Sequence, residues 1–284
     1  MGSNTPSLLD ETKHSRDNAG MTYVYPVVSR RAGGVSIGIN LNPNNACNWR
    51  CVYCQVPDLK RGGPPLIDLE LLRSELESLL EQVCRGDFME SRVAPESRRL
   101  VDVAFSGNGE PTSAAEFPEA VACVAELLDE FGLAGKLPVR LITNGSLIDR
   151  LRVREGLKRL AAAGGEVWFK LDGLTGETFL KVNNTKVSPE AALNRLRLCA
   201  EICPTWVQSC FFILDGMSPS AAGLDAYVNG LAQEVGRIRG VHLYGLARPS
   251  TQPEAPRLQR LPREWLEGLA GRLKEKGLTV TVSP

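Results

Sequence analysis

The sequence predicts an α/β fold, because short apolar runs that suit buried strands alternate with longer segments whose apolar residues recur at helical spacing. This alternation is typical of right-handed strand–helix–strand crossovers in a parallel sheet. The chain has 284 residues, and no internal repeat, linker or shift in composition marks a second domain. Six or seven strand–helix units in such a chain predict a full or partial β/α barrel, and a doubly wound sheet is the competing architecture.

Turn residues and apolar spacing set the bounds of each predicted element. The first strand, residues 35–41, ends in a turn-rich Asn-Pro-Asn-Asn segment, and the spacing of apolar side chains predicts a helix over residues 66–83. Glycines stop a strand at residues 100–105 and close a helix at residues 118–131, which starts at a proline. The later predicted strands cover 138–143, 166–171, 206–214, 241–246 and 278–282. The later predicted helices cover 151–163, 189–202, 220–235 and 262–276.

The overall charge is balanced, with 33 Lys and Arg against 33 Asp and Glu. A chain without excess positive charge lacks the simplest signature of a non-specific nucleic-acid binder, although a local basic patch stays open. No apolar run reaches the roughly 18 residues that a membrane-spanning helix needs. The composition therefore predicts a soluble globular protein and no membrane association.

Residues 1–20 are polar and without periodicity, and they contain no apolar stretch that would resemble a secretory signal. We expect them to form a disordered tail, with a single domain over residues 21–284, and Met21 is an alternative start. The expected location is the cytoplasm. In such a reducing compartment, cysteines that cluster in the sequence more often bind a metal or carry out redox chemistry than form disulfides.

Three of the eight cysteines cluster, since Cys47, Cys51 and Cys54 follow the first predicted strand. A structural zinc site needs four ligands, and neither Cys84, in a predicted helix, nor either histidine is an obvious fourth. Known ferredoxin spacings also supply four cysteines for each cluster. Three cysteines alone favour a 4Fe–4S cluster with one open iron. A zinc site and a redox-active cysteine pair are the alternatives.

The pattern Cys-x3-Cys-x-aromatic-Cys after a first strand resembles the radical S-adenosylmethionine (radical SAM) enzymes. The segments 25–31, 47–55 and 105–112, together with Gly38, are similar to the wyosine-synthase-like branch of that superfamily. The resemblance runs from about Tyr23 to Arg248. It implies a partial (β/α)6 barrel of the radical SAM type over residues 33–248 with a short C-terminal extension at 262–282. It also implies reductive cleavage of S-adenosylmethionine to a 5′-deoxyadenosyl radical.

The resemblance implies a role for each cysteine, since Cys47, Cys51 and Cys54 would bind three irons of a 4Fe–4S cluster. The fourth iron would bind the amino and carboxylate groups of S-adenosylmethionine. Tyr53 stands where the family has an aromatic residue beside the adenine, and simple packing within the loop is the alternative.

The Gly-Asn-Gly-Glu-Pro segment that follows the second predicted strand resembles the motif that receives the methionine amino group. Gly107 and Gly109 allow a close approach of the backbone, and Glu110 could accept a hydrogen bond from an ammonium. Asn108 lies between them. The alternative is a strand-to-helix turn with a carboxylate near a helix N-terminus.

Polar residues also follow the later strands. Asn144 ends the third predicted strand, where the family binds its cofactor, although Asn-Gly is also a common turn pair. Lys170 and Asp172 end the fourth, and we expect them to bind the cofactor or to act in catalysis, with a rim ion pair as the alternative. Arg248 follows the sixth, where an arginine suits an anionic substrate or the cofactor carboxylate, and it is also a predicted catalytic residue. Arg30 and Arg31 fit either such a role or a solvated surface.

The other cysteines are predicted to be structural. Cys199, Cys203 and Cys210 invite a second-cluster interpretation, but buried structural cysteine is the commoner outcome. Cys84 and Cys123 are predicted to lie in helix cores. His242 lies in an apolar strand and is predicted to be packed there.

The predicted function is that of a radical SAM enzyme which needs a low-potential electron donor such as a flavodoxin or ferredoxin. The wyosine synthases of the branch modify a base in transfer RNA. The balanced charge, and the lack of a flavin domain and of a clear second cysteine set in these residues, favour a small-molecule substrate over transfer RNA. A non-catalytic iron–sulfur or zinc protein is the alternative of another class. The sequence names no substrate and no oligomeric state.

Overall fold

The computed structural model describes residue 9, residues 20–29 and residues 33–283. Arg30, Arg31 and most of the predicted N-terminal tail therefore lie outside the described residues. Leu9 forms an isolated parallel bridge with Val93, and its N–H donates to the carbonyl of Arg92 over 2.8 Å.

Strands and helices alternate along the described part of the chain. The strands are β1 Val24–Ser29, β2 Gly34–Ile39, β3 Ala46–Cys47, β4 Lys60–Arg61, β5 Leu100–Phe105, β6 Val139–Thr143, β7 Glu166–Lys170, β8 Thr205–Cys210, β9 Ile213–Leu214, β10 Gly240–Tyr244, β11 Leu258–Gln259 and β12 Val280–Ser283. The α-helices are α1 Leu69–Cys84, α2 Phe88–Arg92, α3 Phe117–Glu130, α4 Leu151–Ala162, α5 Gly176–Asn183, α6 Pro189–Ile202, α7 Ala221–Ala232 and α8 Arg263–Glu275.

The main sheet is a curled partial barrel of eight strands in the order β1-β2-β5-β6-β7-β8-β10-β12. Every neighbouring pair from β2 to β12 is parallel, and only β1 pairs antiparallel, with β2. A doubly wound sheet reverses its strand order at a switch point. Here the spatial order follows the chain order throughout, so the predicted partial barrel is confirmed: β2 to β10 are its six strands, and α8 and β12 are the C-terminal extension.

Local capping explains why several helices begin where they do. Asp68 accepts a hydrogen bond from the N–H of Leu71 over 3.0 Å at the start of α1, and Ser188 accepts one from Ala191 over 3.1 Å at the start of α6. The predicted bounds of β5 and α6 agree with the structure to the residue. The predicted start of α1 at Leu66 was wrong, since Leu66 is 82% exposed and precedes the cap.

Six short elements among these strands and α-helices were not predicted from the sequence: β1, β3, β4, β11, α2 and α5. The strand predicted over residues 206–214 is in fact two, because β8 ends at Cys210 and β9 leaves the main sheet to pair antiparallel with β11. The helix predicted over residues 220–235 ends at Ala232. Runs of a few residues carry too little periodicity to identify such elements.

The two faces of the curled sheet have different chemistry. In β5, Val103 and Phe105 are fully buried in the core between sheet and helices, whereas Asp102 and Ala104 line a cavity on the concave face. This division follows from the alternation of side chains along a strand. Within the described ranges, no helix is long and apolar enough to cross a membrane.

A buried carboxylate attaches β1 to the helical layer. Glu75 of α1 accepts hydrogen bonds from the backbone N–H groups of Thr22, Tyr23 and Val24 over 2.6, 2.7 and 3.2 Å. These groups precede or begin the edge strand, where the sheet provides fewer backbone partners. Glu75 thus gives the start of β1 the acceptors it needs.

We predict that Glu75→Gln lowers the free energy of unfolding by about 1–2 kcal/mol, because one of the two acceptor oxygens becomes an NH₂ group that faces backbone donors. Chemical denaturation measures the change, and hydrogen exchange at Tyr23 and Val24 locates it. Glu77→Gln is the matched control on the exposed side of α1 and should change stability by less than about 0.5 kcal/mol. Equal losses for the two variants would contradict the role of Glu75.

Candidate functional site

A cavity of about 290 Å³ occupies the concave side of the partial barrel. Its mouth lies where the parallel strands end, and its other end reaches Ser36, Asp102 and Arg140 near the strand starts. Seven of the residues predicted for the site line it. They are Cys51, Tyr53, Cys54, Gly107, Gly109, Lys170 and Arg248.

The cysteine loop, residues 46–56, follows β2 and has almost no regular secondary structure. Only Ala46 and Cys47 form a short ladder, with β4. Within the loop, the N–H of Cys54 donates to the carbonyl of Cys51 over 3.0 Å. The end of α5 is attached to it as well, since the N–H of Val52 donates to the carbonyl of Val182 over 2.9 Å.

A later segment, residues 250–254, holds the same loop from the other side. The Ser250 hydroxyl lies 2.8 Å from the carbonyl of Val52 and 3.0 Å from that of Cys54. Arg50 donates two hydrogen bonds to the carboxylate of Glu254, over 2.9 and 2.7 Å. These partners were not predicted, because a distance of about 200 residues in the sequence leaves no local signal.

The Cys54 thiol lies close enough to Cys47 and Cys51 to influence the ionisation of both. Burial raises the pKa of Cys47 to about 11 and that of Cys51 to about 12, and a charge on Cys54 would raise both further. The Lys170 ammonium acts in the opposite sense on both thiols. Such thiols ionise when cationic metal replaces their protons, so the donor set fits a metal–thiolate centre.

The kind of centre follows from how the ligands are arranged. Among the described residues, no three His, Cys, Asp or Glu side chains converge on a point that would hold a single metal ion. One tetrahedral zinc requires such convergence. In an iron–sulfur cluster each thiolate binds a different iron, so its ligands stand apart. The three cysteines supply one thiolate for each of three irons, which is the number of protein ligands in the predicted cluster.

A buried network connects the cysteine loop to the end of β7. Asp172 is 4% exposed and accepts hydrogen bonds from the Tyr53 hydroxyl over 2.6 Å, from Asn183 over 2.7 Å and from the N–H of Cys210 over 2.9 Å. Its side chain is not among the cavity-lining groups, so its surroundings suit a brace better than a group that contacts substrate. The predicted catalytic role of Asp172 stays a prediction.

Lys170 lines the cavity beside the cysteines. Its Nζ lies 5.2 Å from the centre of the Tyr53 ring, which is tilted against Phe212. Burial alone lowers the pKa of this ammonium, but negative charge on Tyr244, Cys51 and Asp172 outweighs burial and the net shift is upward. Lys170 is therefore a resident cation at the mouth of the cavity.

The glycines of residues 107–110 are required by packing within the protein. A Cβ on Gly107, which has φ +153°, would clash with the Asn40 side chain, and one on Gly109 would come within 2.1 Å of the carbonyl oxygen of Ala46. Asn108 donates to Asn45 over 2.7 Å. This turn therefore lies directly against the segment that leads into the cysteine loop.

Glu110 is buried and its carboxylate bonds to its own surroundings. It accepts from the Thr112 hydroxyl and the Thr143 hydroxyl, each over 2.6 Å, and from the N–H of Asn144 over 2.7 Å. Burial raises its pKa, although these hydrogen bonds oppose the shift. The contacts account for Glu110 as a link between β5 and β6, and its predicted contact with an ammonium stays a prediction.

Asn144 reaches the cysteine loop rather than the cavity. Its Nδ2 donates to Oδ1 of Asn48 over 2.9 Å, and Asn48 in turn donates to the Ser146 hydroxyl over 2.7 Å. The polar end of β6 thus supports the residue that follows Cys47. The predicted cofactor contact of Asn144 also stays a prediction.

Charged residues lie at the other end of the cavity. Arg140 bonds to the carboxylate of Asp102 and, over 2.8 Å, to that of Glu166. Ser36 donates to Asp102, and the Trp168 indole donates to Glu166 over 3.1 Å. Sequence reasoning missed this network, although alternation along β5 and β6 does put Asp102 and Arg140 on the concave face.

The remaining cysteines do not gather into a second site. Cys199 and Cys203 are buried between α6 and the sheet, where Cys203 donates weakly to the carbonyl of Gly165, while Cys210 lies in a separate apolar cluster with Tyr53. The prediction for Cys84 was wrong, because it is the exposed last residue of α1, and Cys123 is only half-buried. His242 is packed as predicted, stacked on Trp206 at 4.5 Å.

A family model described as the Radical SAM superfamily matches residues 41–220, which contain the cysteine loop and the turn at 107–110. That match covers more than half of the chain. The chain belongs to the radical SAM superfamily. Enzymes of this family use a 4Fe–4S cluster and S-adenosylmethionine, and Cys47, Cys51 and Cys54 are the residues here that fit the cluster.

Two curated proteins resemble part of this radical SAM chain. One is the UPF0026 protein MJ1312 of Methanocaldococcus jannaschii, which is 31% identical over 159 residues, or 56% of this chain and 42% of that protein. The other is named GTPase Obg, from Brachyspira hyodysenteriae, and is 26% identical over 152 residues, or 54% of this chain and 20% of that protein. The chain spans less than half the length of either relative.

Solved radical SAM structures share the fold. A radical SAM methyltransferase from Sphaerobacter thermophilus superposes with a TM-score of 0.61 at 14% identity, over 90% of this chain and 67% of that one. SuiB of Streptococcus suis, bound to the precursor peptide SuiA, gives 0.58 at 13% identity, over 89% and 49%. TYW1 with a lysine-pyruvate adduct gives 0.55 at 16%, over 84% and 73%. At these identities the similarity establishes the fold alone.

We predict that Gly109→Ala destabilises the chain by about 1–3 kcal/mol, because the added methyl group has to displace the Ala46 carbonyl. The same displacement should lower the iron content after anaerobic reconstitution, since Ala46 directly precedes Cys47. Thermal unfolding and iron analysis measure the two effects.

Gly63→Ala is the matched control, because nothing lies within 4 Å of a Cβ built there and the residue has no positive φ. It should leave stability and iron content at the wild-type level. A Gly109→Ala protein that matches this control would show that the turn does not depend on the close contact.

Proposed function

We propose that this radical SAM enzyme cleaves S-adenosylmethionine reductively to a 5′-deoxyadenosyl radical, which then abstracts hydrogen from a small-molecule substrate held in the cavity. One observation carries the proposal. The same cavity is lined by Cys51 and Cys54 at its mouth and by the ion-paired Asp102 and Arg140 at its other end. A radical formed at the mouth would therefore lie beside the space in which a substrate can bind.

The residues at the mouth have complementary tasks in this proposal. Cys47, Cys51 and Cys54 would hold the cluster, which when bound and reduced supplies the electron that splits S-adenosylmethionine. Gly107 and Gly109 line the same end and leave the backbone accessible to a ligand. The ring of Tyr53 lines the cavity, and its hydroxyl donates a hydrogen bond to Asp172.

The cations at the mouth suit an anionic group of the cofactor. Lys170 and Arg248 both line the cavity, and a carboxylate is the anion that S-adenosylmethionine carries. In a buried site, the attraction between one of these cations and a carboxylate is stronger than it is in water. We assign to these two residues the orientation of the cofactor or substrate and leave proton transfer unassigned to any residue.

Two features support a small molecule over transfer RNA. The cavity has a volume of about 290 Å³, so the space for a substrate beside the cysteines is limited. The chain also has balanced charge, whereas a transfer-RNA binder usually has a basic face. Modification of a transfer-RNA base, as in wyosine synthases, is the alternative.

The reaction needs a partner and a compartment, and these are part of the proposal. A low-potential donor such as a flavodoxin or ferredoxin would deliver the electron. A reducing cytoplasm is supported by the eight cysteines, all of which are free thiols in the described residues. A non-catalytic iron–sulfur or zinc protein is the alternative that the following test addresses.

We predict that anaerobically reconstituted protein holding four irons forms 5′-deoxyadenosine from S-adenosylmethionine and dithionite. Cys54→Ala should lose the cluster and the product, because only two ligands remain. Cys84→Ala is the matched control, since that thiol is exposed and ends a helix. Chromatography of the nucleoside and iron analysis give the two readouts.

The reaction part of the proposal fails if wild-type protein with four irons yields no 5′-deoxyadenosine, even with candidate substrates present. A non-catalytic iron–sulfur protein would then be the better description. A Cys54→Ala protein that keeps a full cluster would instead overturn the ligand assignment.

We predict that a protein-free extract of small polar molecules raises the rate of 5′-deoxyadenosine formation several-fold, whereas purified bulk transfer RNA leaves it at the background rate. Deuterium transfer from labelled components into 5′-deoxyadenosine would identify the molecule that loses hydrogen. Stimulation by transfer RNA alone would favour the base-modifying alternative.

A further inference from the structure

Asn183 lies at the end of α5 and touches one of the cluster cysteines. Its side chain is buried, with 1% of the residue exposed. Its Nδ2 atom lies 3.3 Å from Sγ of Cys51 and 2.7 Å from Oδ2 of Asp172. The sequence analysis did not assign Asn183 to the site, so this contact is a product of the tertiary structure.

The two contacts determine the orientation of the amide. An amide nitrogen carries two N–H groups, and here one has the Asp172 carboxylate as acceptor and the other has the Cys51 sulfur. Rotating the amide by half a turn would bring its oxygen against two acceptors. Oδ1 of Asn183 has no hydrogen-bond partner among the described residues, so no contact on the other side favours the rotated state.

Asp172 cannot turn away from Asn183 without losing other bonds. Its second oxygen accepts from the N–H of Cys210 over 2.9 Å, and Oδ2 also accepts from the Tyr53 hydroxyl over 2.6 Å. The end of α5 is held independently by the hydrogen bond between Val52 and Val182. The bond to Asp172 holds the Asn183 side chain, and the Val52–Val182 bond holds its backbone. Together they fix the N–H donor in front of the Cys51 sulfur.

We infer that Asn183 is a positioning residue for the cluster, which orients the Cys51 ligand and raises the cluster's reduction potential through an N–H···S hydrogen bond. Reduction adds negative charge that spreads onto the sulfur ligands, and a hydrogen-bond donor stabilises that charge. The inference rests on the proposed function only in requiring that Cys51 binds the cluster. It does not depend on the substrate or on the fate of S-adenosylmethionine.

The test is a redox titration of reconstituted protein that holds four irons, without S-adenosylmethionine, followed by electron paramagnetic resonance. Asn183→Leu keeps a side chain of similar size but removes the donor. We expect its midpoint potential to be more negative than that of the wild type. Asn184→Gly is the matched control, because Asn184 has φ 56°, which glycine adopts readily, and neither of its side-chain nitrogen or oxygen atoms bonds to a cysteine.

An unchanged potential in Asn183→Leu, with four irons bound, would overturn the inference. If Asn183→Leu does not hold the cluster, a comparison of the wild type with Asn183→Ala tests the hydrogen bond instead. Pulsed resonance of reduced wild type labelled with ¹⁵N-asparagine should show a nitrogen coupling that is absent in Asn183→Ala, and a wild type without that coupling would equally overturn it. A potential shift in a protein that forms no 5′-deoxyadenosine would leave this inference standing and remove only the proposed reaction.

Discussion

Three thiols have to be held in a loop that has almost no secondary structure of its own, and much of the described structure serves that constraint. The hydrogen bonds that hold residues 46–56 come from distant parts of the chain, namely the end of β6, the end of α5 and the segment at 250–254, and the turn at 107–110 packs against Ala46. Each bond is modest by itself. Because these anchors belong to different elements of the partial barrel, the loop keeps its shape only while the barrel is folded.

Buried carboxylates are the second theme, and they act as braces rather than as free acids. Glu75 binds three backbone donors at β1, Glu110 links the turn after β5 to β6, and Asp172 holds Tyr53 and Asn183. A buried carboxylate is costly unless its oxygens find donors. All three carboxylates accept hydrogen bonds from N–H and O–H groups, and they thereby join segments that are separated in the chain. Because Glu110 and Asp172 are used in this way, Lys170 and Arg248 are the charged groups of the predicted site that line the cavity.

Sequence reasoning found most of the sheet and the cysteine loop but not its supports. The barrel strands and the helices between them carry long apolar patterns, and β5 and α6 were predicted to the residue. Short elements such as β1 and α5 carry too little pattern. Asn183 and Glu254 have no local signal at all, because each acts on a residue more than one hundred positions away. For Gly109, only the structure showed that the Ala46 carbonyl oxygen leaves no room for a side chain at that position.

By itself, the sequence determined the alternation of strands and helices, the three clustered cysteines and hence the superfamily, since apolar periodicity and ligand spacing are local properties. The tertiary structure decided which polar residues face the cavity and which support it. Lys170 lies at the mouth, whereas Asp172 and Glu110 are buried in hydrogen-bonded positions. Asn183 contacts the Cys51 sulfur. The physical reason is that a polar side chain goes where its partners are, and in a curled sheet those partners are contributed by elements far apart in the chain.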